Sequence, residues 1–410
     1  MTRTPGTGRG RRPTTLLVIG DTRYTVEDGR WHTLVALSKQ LDVWFAEFDR
    51  VVIAAHLQPG APPPDHRCLD HQNIDFVPLR SAGGTGLRAK ADVGLALLSW
   101  VRVLVPLMGR ATAVHLRTPC NVTIAAIPLA RVLSRNRYAI YADNWEPLGV
   151  EPVSYRIQRW MLRHFKGVVH AYAPPNEDLP AHIRPNVSPS FAESELEALI
   201  PDVTRRVDQL RADPAARRPL RICSVASFSV RKNQSAIIRA AAVLKQRGIP
   251  VQLRFAGSGA TQAAARSLVA DLGLGAEVEF LGQIGRDAVI ALFAWADVNV
   301  LVGFAEGFGK VFLEGMALGC PAVCGPGRMQ RAIIGAGARG RQADPSDPTD
   351  IADALEDLRN LPIDRQVEMV LACRAYVAGF TTEAFAHDIQ DIIRRVWALP
   401  PPDPAGDLRR

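Results

Sequence analysis

Two carboxylates separated by seven residues stand in the stretch AEGFGKVFLEGMALGCPAV. Glu306 opens a glycine-bearing loop, and Glu314 falls about one and a half turns into the helix expected to follow it. Gly307 and Gly309 flank Phe308 and permit close backbone approach, so the loop can offer free N–H groups to an anion. Both carboxylates could face one bound ligand. Carboxylates accept paired hydrogen bonds from vicinal sugar hydroxyls, while glycine amides and a positive helix terminus suit phosphate oxygens. A plainer reading pairs Glu314 with Lys310 at i,i+4 and leaves Glu306 as a solvated loop charge.

Cations occur at comparable places. RKNQSAIIRAAAVLK sets Arg231 and Lys232 just ahead of a helix, and RFAGSG puts Gly257 in a turn after a strand. In the first half, YADNW places Asp143 near a strand end and HLRTPCN does the same for Arg117, as an anion contact or as half of a structural ion pair. Asp21 to His32 follows the first strand and carries Gly29, Arg30 and His32 ahead of a helix. An open α/β sheet exposes acceptor-binding residues at such positions.

The elements that must position these residues follow from hydrophobic period. TTLLVIG, VVIAAH, IDFVPL, AVHLR, YAIYAD and GVVHAYA read as buried strands with amphipathic segments between several of them. That alternation predicts a parallel sheet covered by helices. After the turn-rich RPNVSPSF and a charged helix, a second series begins at Leu220: LRICSVA, VQLRFAG, VEFLG, VNVLV and PAVCG, each followed by helical or loop sequence. The reading is an α/β chain of two Rossmann-like doubly wound domains facing a central cleft. Residues 1–13 form a basic flexible tail, 14–187 the first domain and 188–378 the second. Residues 379–399 form a helix that could cross back to the first domain, and 400–410 a second tail.

Composition bounds the partners. The 410 residues carry 49 Lys or Arg against 41 Asp or Glu, a net charge of +8, and 47% are hydrophobic. Disorder is excluded and two cores are affordable. The mild basic excess fits phosphorylated small molecules or an anionic membrane face, and no zinc-finger spacing or aromatic-basic RNA signature points to nucleic acid. Six scattered cysteines read as reduced thiols of a cytoplasmic protein. Cys320 and Cys324 lack a matching pair, and His66, Cys68, Asp70 and His71 form a weak ligand cluster, so no metal is expected. The N-terminal Arg3, Arg9, Arg11 and Arg12 precede too short an apolar run for an export signal. The apolar stretch Val93–Met108 contains Arg102 and Pro106 and reads as a core helix, with an interfacial helix as the alternative.

The stretch from Glu306 to Glu314 resembles the donor-site signature of family-4 retaining glycosyltransferases of the GT-B fold, within the glycosyl transferases group 1. The order of motifs strengthens the resemblance: RKNQSAIIRAAAVLK is similar to the family's Lys-Gly segment, RFAGSG to its glycine turn, and ADPSDPTDIADAL to its closing segment. It covers Leu220 to about Leu358 well, and the first half only by topology and by Pro185 and Asn186. It implies that Glu306 contacts hydroxyls of the transferred sugar, that Glu314 holds the nucleotide ribose, and that Lys232 sits on the diphosphate. Gly307, Phe308, Gly309, Lys310, Arg231 and Gly257 would complete the donor site, with Asp143 where relatives often carry His. A preorganised cation and loop amides would stabilise charge building on the departing diphosphate, which needs neither metal nor other cofactor.

Departures from the pattern are specific. Ala226 and Ser227 replace the usual Gly-Arg, so a second diphosphate cation is missing unless Arg231 or Lys310 supplies it. Val302 and Gly303 replace Pro-Ser, and Gln330 in GPGRMQ stands where an acid is usual. The implied function is retaining transfer of a sugar from a nucleotide diphosphate sugar to an acceptor in polysaccharide or glycoconjugate biosynthesis. The alternatives are a non-catalytic nucleotide- or glycan-binding member and a same-fold sugar-nucleotide epimerase.

Overall fold

A computed structural model describes residues 13–63, 66–71, 73–83, 87–146, 151–173, 179–212, 218–304 and 308–402. The β-branched runs of the first half become strands because burial on both faces suits them. They are β1 (Thr15–Glu27), β2 (Arg30–Leu34), β3 (Arg50–Leu57), β4 (His66–Cys68), β5 (Ile74–Pro78), β6 (Ala113–Thr118), β7 (Asn136–Asn144), β8 (Val168–Tyr172) and β9 (Ile183–Pro185). The parallel path runs β5, β3, β1, β6, β7, β8, β9. Chain order reverses between β1 and β6, which makes their C-terminal ends a topological switch point.

The second series forms β10 (Leu220–Val225), β11 (Val251–Ala256), β12 (Val278–Gly282), β13 (Val298–Leu301), β14 (Ala322–Cys324) and β15 (Gly340–Gln342). Their order is β12, β11, β10, β13, β14, β15, all parallel. Each domain is thus Rossmann-like. A single core fills the second, from Leu220 and Ile222 to Leu355 and Val377, and two layers pack on either face of the first sheet.

Two segments cross between the domains side by side. Phe191 on the outgoing link and Thr381 on the returning one form a parallel bridge, and the Thr382 N–H donates to the Phe191 carbonyl at 2.9 Å. The helix Thr382–Asp391 starts with the Thr381 hydroxyl accepting from Ala384 N–H at 3.0 Å. Its Phe385 and Ile389, with Ile392 and Ile393 beyond, bury against Leu16, Leu41, Trp44 and Phe45 of the first domain. His170 of β8 meets Asp388 of this helix at 2.9 Å, and Tyr138 reaches the other ring nitrogen of His170 at 3.0 Å.

Two sequence expectations change here. The stretch Asp21 to His32 is not a loop before a helix. β1 runs on through it and turns back as a hairpin, because Asp28 and Gly29 take consecutive positive φ values of 48° and 75°, the signature of a two-residue type I′ turn. The segment around Val93–Met108 belongs to a longer helix, Leu87–Arg110, which over residues 92–110 is buried along the stripe Ala96, Trp100, Leu104 and Met108. Leu95 and Leu98 on its other side are 65% and 68% exposed, so the helix is amphipathic rather than a core helix. By length and composition alone, its segment Asp92–Arg110 could cross a membrane.

Candidate functional site

The C-terminal ends of both sheets meet at the cleft. On the first domain, Asp21 follows the core of β1, Arg117 ends β6, Asp143 ends β7 and Tyr172 ends β8, so adjacent parallel strands set these four side by side. On the second, the loops after β10, β11 and β13 converge. The domains touch where Tyr172 stacks on Phe308, with centroids 5.0 Å apart and planes 20° from parallel. They touch again where Arg328 meets Glu146 at 2.8 Å.

Arg231 and Lys232 lie in a single 3₁₀ turn, Val230–Lys232. Asn233 follows with φ 55° and ψ 40°, taking the left-handed conformation that a glycine would adopt most cheaply. Its buried side-chain amide donates to Pro345 O at 2.6 Å and to Val302 O at 3.4 Å, tying three loops together. The Phe304 N–H donates to the Arg231 carbonyl at 3.1 Å, so the loop with the lysine and the loop leading to the carboxylates are joined through backbone. Gly257 completes the arrangement. A side chain there would meet the Ala226 carbonyl oxygen at 2.1 Å, at a φ of 131°, so only glycine lets the two loops approach this closely.

Gly309, at φ 67°, leads into the helix Lys310–Met316, which carries Glu314. Glu306 and Gly307 lie outside the described residues; Phe308 is buried against Tyr172 and Phe380. Burial raises the Glu314 carboxyl above its usual range, against the pull of Lys310, Arg286 and Lys39. Burial likewise pushes the Lys310 ammonium down to about 8, with Arg117 and Lys39 adding repulsion and Glu314 opposing it. The Lys310 Nζ donates to Pro189 O at 3.4 Å, on the link between domains.

Of the first-domain candidates, Arg117 and Asp143 are brought to the cleft. Asp143 is half-buried and accepts from the Asn144 N–H at 2.7 Å. Gly29, Arg30 and His32 sit on the hairpin instead, where His32 Nδ1 lies 3.2 Å from Arg30 O. No contact among the described residues links them to Arg117 or Asp143. Tyr172 and Lys39 escaped sequence reading. The only cue for Tyr172 was an aromatic ending a parallel strand, and Lys39 looked like any surface charge on the helix Val35–Phe45. Among the described residues no group of three or more His, Cys, Asp or Glu is placed to hold a metal ion. A cavity lined by Arg206, Arg218, Asp297, Leu358 and Met369 lies at the opposite end of the second sheet and touches none of the candidates.

Residues 207–386 match the family described as glycosyl transferases group 1. The match falls on the second domain, which is similar to that family. The chain is 36% identical over 137 residues to the putative glycosyltransferase EpsD of Bacillus subtilis, covering 33% of this chain and 35% of that protein. It is 30% identical over 224 residues to a GDP-mannose-dependent alpha-(1-6)-phosphatidylinositol monomannoside mannosyltransferase of Mycobacterium tuberculosis, covering 49% and 56%. It is 36% identical over 160 residues to a D-inositol 3-phosphate glycosyltransferase of Pseudarthrobacter chlorophenolicus, covering 37% and 38%. The matched regions thus span between about a third and a little over half of these relatives. Among solved structures, HepE of Anabaena in complex with UDP and glucose superposes with a TM-score of 0.64 at 14% identity, over 93% of this chain and 99% of that one. Sucrose-phosphate synthase of Thermosynechococcus elongatus gives 0.65 at 17% identity, over 94% and 99%. The fold is GT-B.

Proposed function

We propose that this chain is a retaining, metal-independent glycosyltransferase that moves a sugar from a nucleoside diphosphate sugar to an acceptor, in the assembly of a polysaccharide or glycoconjugate. The observation that carries the reading is the joining of the Lys232 loop to the Glu314 loop through the Phe304–Arg231 backbone bond, opposite Arg117 and Asp143. Lys232 would take the diphosphate and Glu314 the ribose hydroxyls. Glu306 would take hydroxyls of the sugar, and Asp143 would face the reacting ring from the first domain. Departure of the diphosphate builds negative charge beside Lys232 and the loop amides, which favour the transition state over the ground state. The UDP and glucose held by the HepE structure and the GDP-mannose dependence of the mycobacterial relative support a nucleotide sugar as donor.

Incubation of the purified chain with a panel of nucleotide sugars, following slow donor hydrolysis, tests the reading. Turnover of one donor that survives chelator is expected. Nucleotide binding without turnover would favour the non-catalytic reading, and interconversion of sugar epimers the third. Strict divalent-ion dependence would remove the metal-independent mechanism.

Peripheral contact of a cytoplasmic protein with an anionic membrane is part of the same proposal. The basic N-terminal tail that suggested it lies outside the described residues, but the first domain adds support. On the helix Val153–Arg163, Val153, Ile157 and Trp160 are 66%, 46% and 64% exposed at i, i+4 and i+7, beside exposed Arg156 and Arg163. Sedimentation with acidic vesicles should be lost in Ile157→Ser/Trp160→Ser and weakened by salt; equal partition onto neutral vesicles would remove the electrostatic part.

A further inference from the structure

Arg117 leaves the C-terminal end of β6 at the switch point of the first sheet. Its Cβ lies so near Gly20 of β1 that a Cβ on that glycine would sit 3.1 Å away. The guanidinium makes no hydrogen bond or ion pair among the described residues, and its Nη1 is shut off from solvent without a partner. Around it stand the phenols of Tyr24, Tyr138 and Tyr172 and, beyond ion-pair distance, Asp21. A guanidinium nitrogen buried without an acceptor is costly, because it has given up water for nothing of equal strength.

Two further cations share this space. Lys310 comes from the second domain, and Lys39 from the helix Val35–Phe45; both it and Arg117 act on Lys310 electrostatically. The carboxylates nearby do not balance them. Glu195 is engaged at once with Lys39 at 3.4 Å and Arg286 at 3.0 Å, and Glu314 lies within the electrostatic reach of Lys310, Lys39 and Arg286 together. Asp21 stands beside His56 as well as Arg117. The planar fork of an arginine takes a tetrahedral or planar oxyanion through two parallel bonds, and several cations around it favour a dianion over a monoanion.

We propose that the acceptor carries a phosphate monoester, seated on Arg117 at the β1–β6 switch point with Lys310 and Lys39 as the outer cations. This rests on the transferase reading, since it names the substrate class of the same cleft. It places the acceptor's charged group on the first domain and leaves Lys232 to the donor.

The test is calorimetry on the full chain saturated with a nucleoside diphosphate, titrated with inorganic phosphate and separately with acetate. Phosphate should bind the saturated protein, and acetate more weakly. Arg117→Gln should weaken phosphate by about tenfold or more and leave nucleotide affinity unchanged, and Arg117→Lys should recover part of the loss. If Arg117→Gln fails to fold, Lys39→Met should still weaken phosphate alone. Absence of phosphate binding in the parent, or unaltered binding in the variants, overturns the proposal. So does equal loss of nucleotide, which would put Arg117 on the donor diphosphate, and acetate binding as well as phosphate would overturn the dianion. A parent that binds phosphate through Arg117 but neither binds nor turns over any nucleotide sugar would instead sink the transferase reading.

Discussion

Arg328 of the second domain and Glu146 of the first lie 2.8 Å apart across the cleft, with both side chains well exposed. An exposed pair contributes only about 0–1 kcal/mol and is screened by salt. It can therefore latch the domains without fixing them. Arg328→Ala should leave the melting temperature nearly unchanged and enlarge the radius of gyration of the nucleotide-free chain, as high salt should in the parent. Saturating nucleoside diphosphate should restore the compact value in both. An unchanged scattering profile in Arg328→Ala would mean that the Tyr172–Phe308 stack and the two crossing segments hold the domains without this pair.

Lys232 sits on a short turn whose backbone is held by Asn233 and by the Arg231 carbonyl, so the turn keeps its course when the side chain is cut back. Lys232→Ala should lower donor turnover by about 10²-fold or more, the scale for removing one preorganised group from a developing charge, with an unchanged thermal melt. Normal kcat/KM would remove the diphosphate role.

Glu306 and Glu314 should fail differently. Hydrogen bonds from sugar hydroxyls to Glu306 would tighten as the ring gains positive charge, so Glu306→Gln should mainly lower kcat while nucleotide affinity survives. Glu314 would hold ribose in ground and transition states alike, and Glu314→Gln should weaken nucleoside diphosphate binding by about 1.5–3 kcal/mol. If calorimetry shows both variants binding as the parent does and both turn over normally, the pair serves structure and the transferase reading loses its main support.

Lys310 gives a pH dependence of defined sign. Its pKa falls from an ordinary 10.5 to about 8, chiefly through burial. Between those values the unfolded chain holds the proton and the folded chain has released it, so this lysine's contribution makes stability rise with pH across that window. Phosphate binding should run the other way, because it uses the ammonium, and should weaken as pH climbs through about 8. Lys310→Gln should flatten that step. A step that persists in the variant would assign the titration to another group.

The loops of the second domain were legible as backbone features because their requirements are local. Glycine at 257 and 309, a lysine before a helix and two carboxylates around a helix start all lie in short segments whose backbone needs are written in neighbouring residues. Asn233 could be read as a departure from the Lys-Gly pattern, yet only the structure shows it adopting the left-handed conformation itself while its amide binds two distant carbonyls. The hairpin through Asp28 and Gly29 was missed although its two-residue turn signal was present, because an apolar run followed by polar residues also describes a strand leading into a loop.

Strand period and the order of motifs determined by sequence alone that this chain builds two parallel α/β domains and that the second carries a lysine turn, a glycine turn and a carboxylate-bearing helix start. Which first-domain residues face those loops was decided only by tertiary structure. Arg117 stands 97 positions from Gly20, and Tyr172 is 136 residues before Phe308, so neither proximity has any trace in local spacing. Parallel strand pairing sets one end of every parallel strand on the same edge whatever its place in the chain, and packing there shuts the Arg117 Nη1 off from solvent.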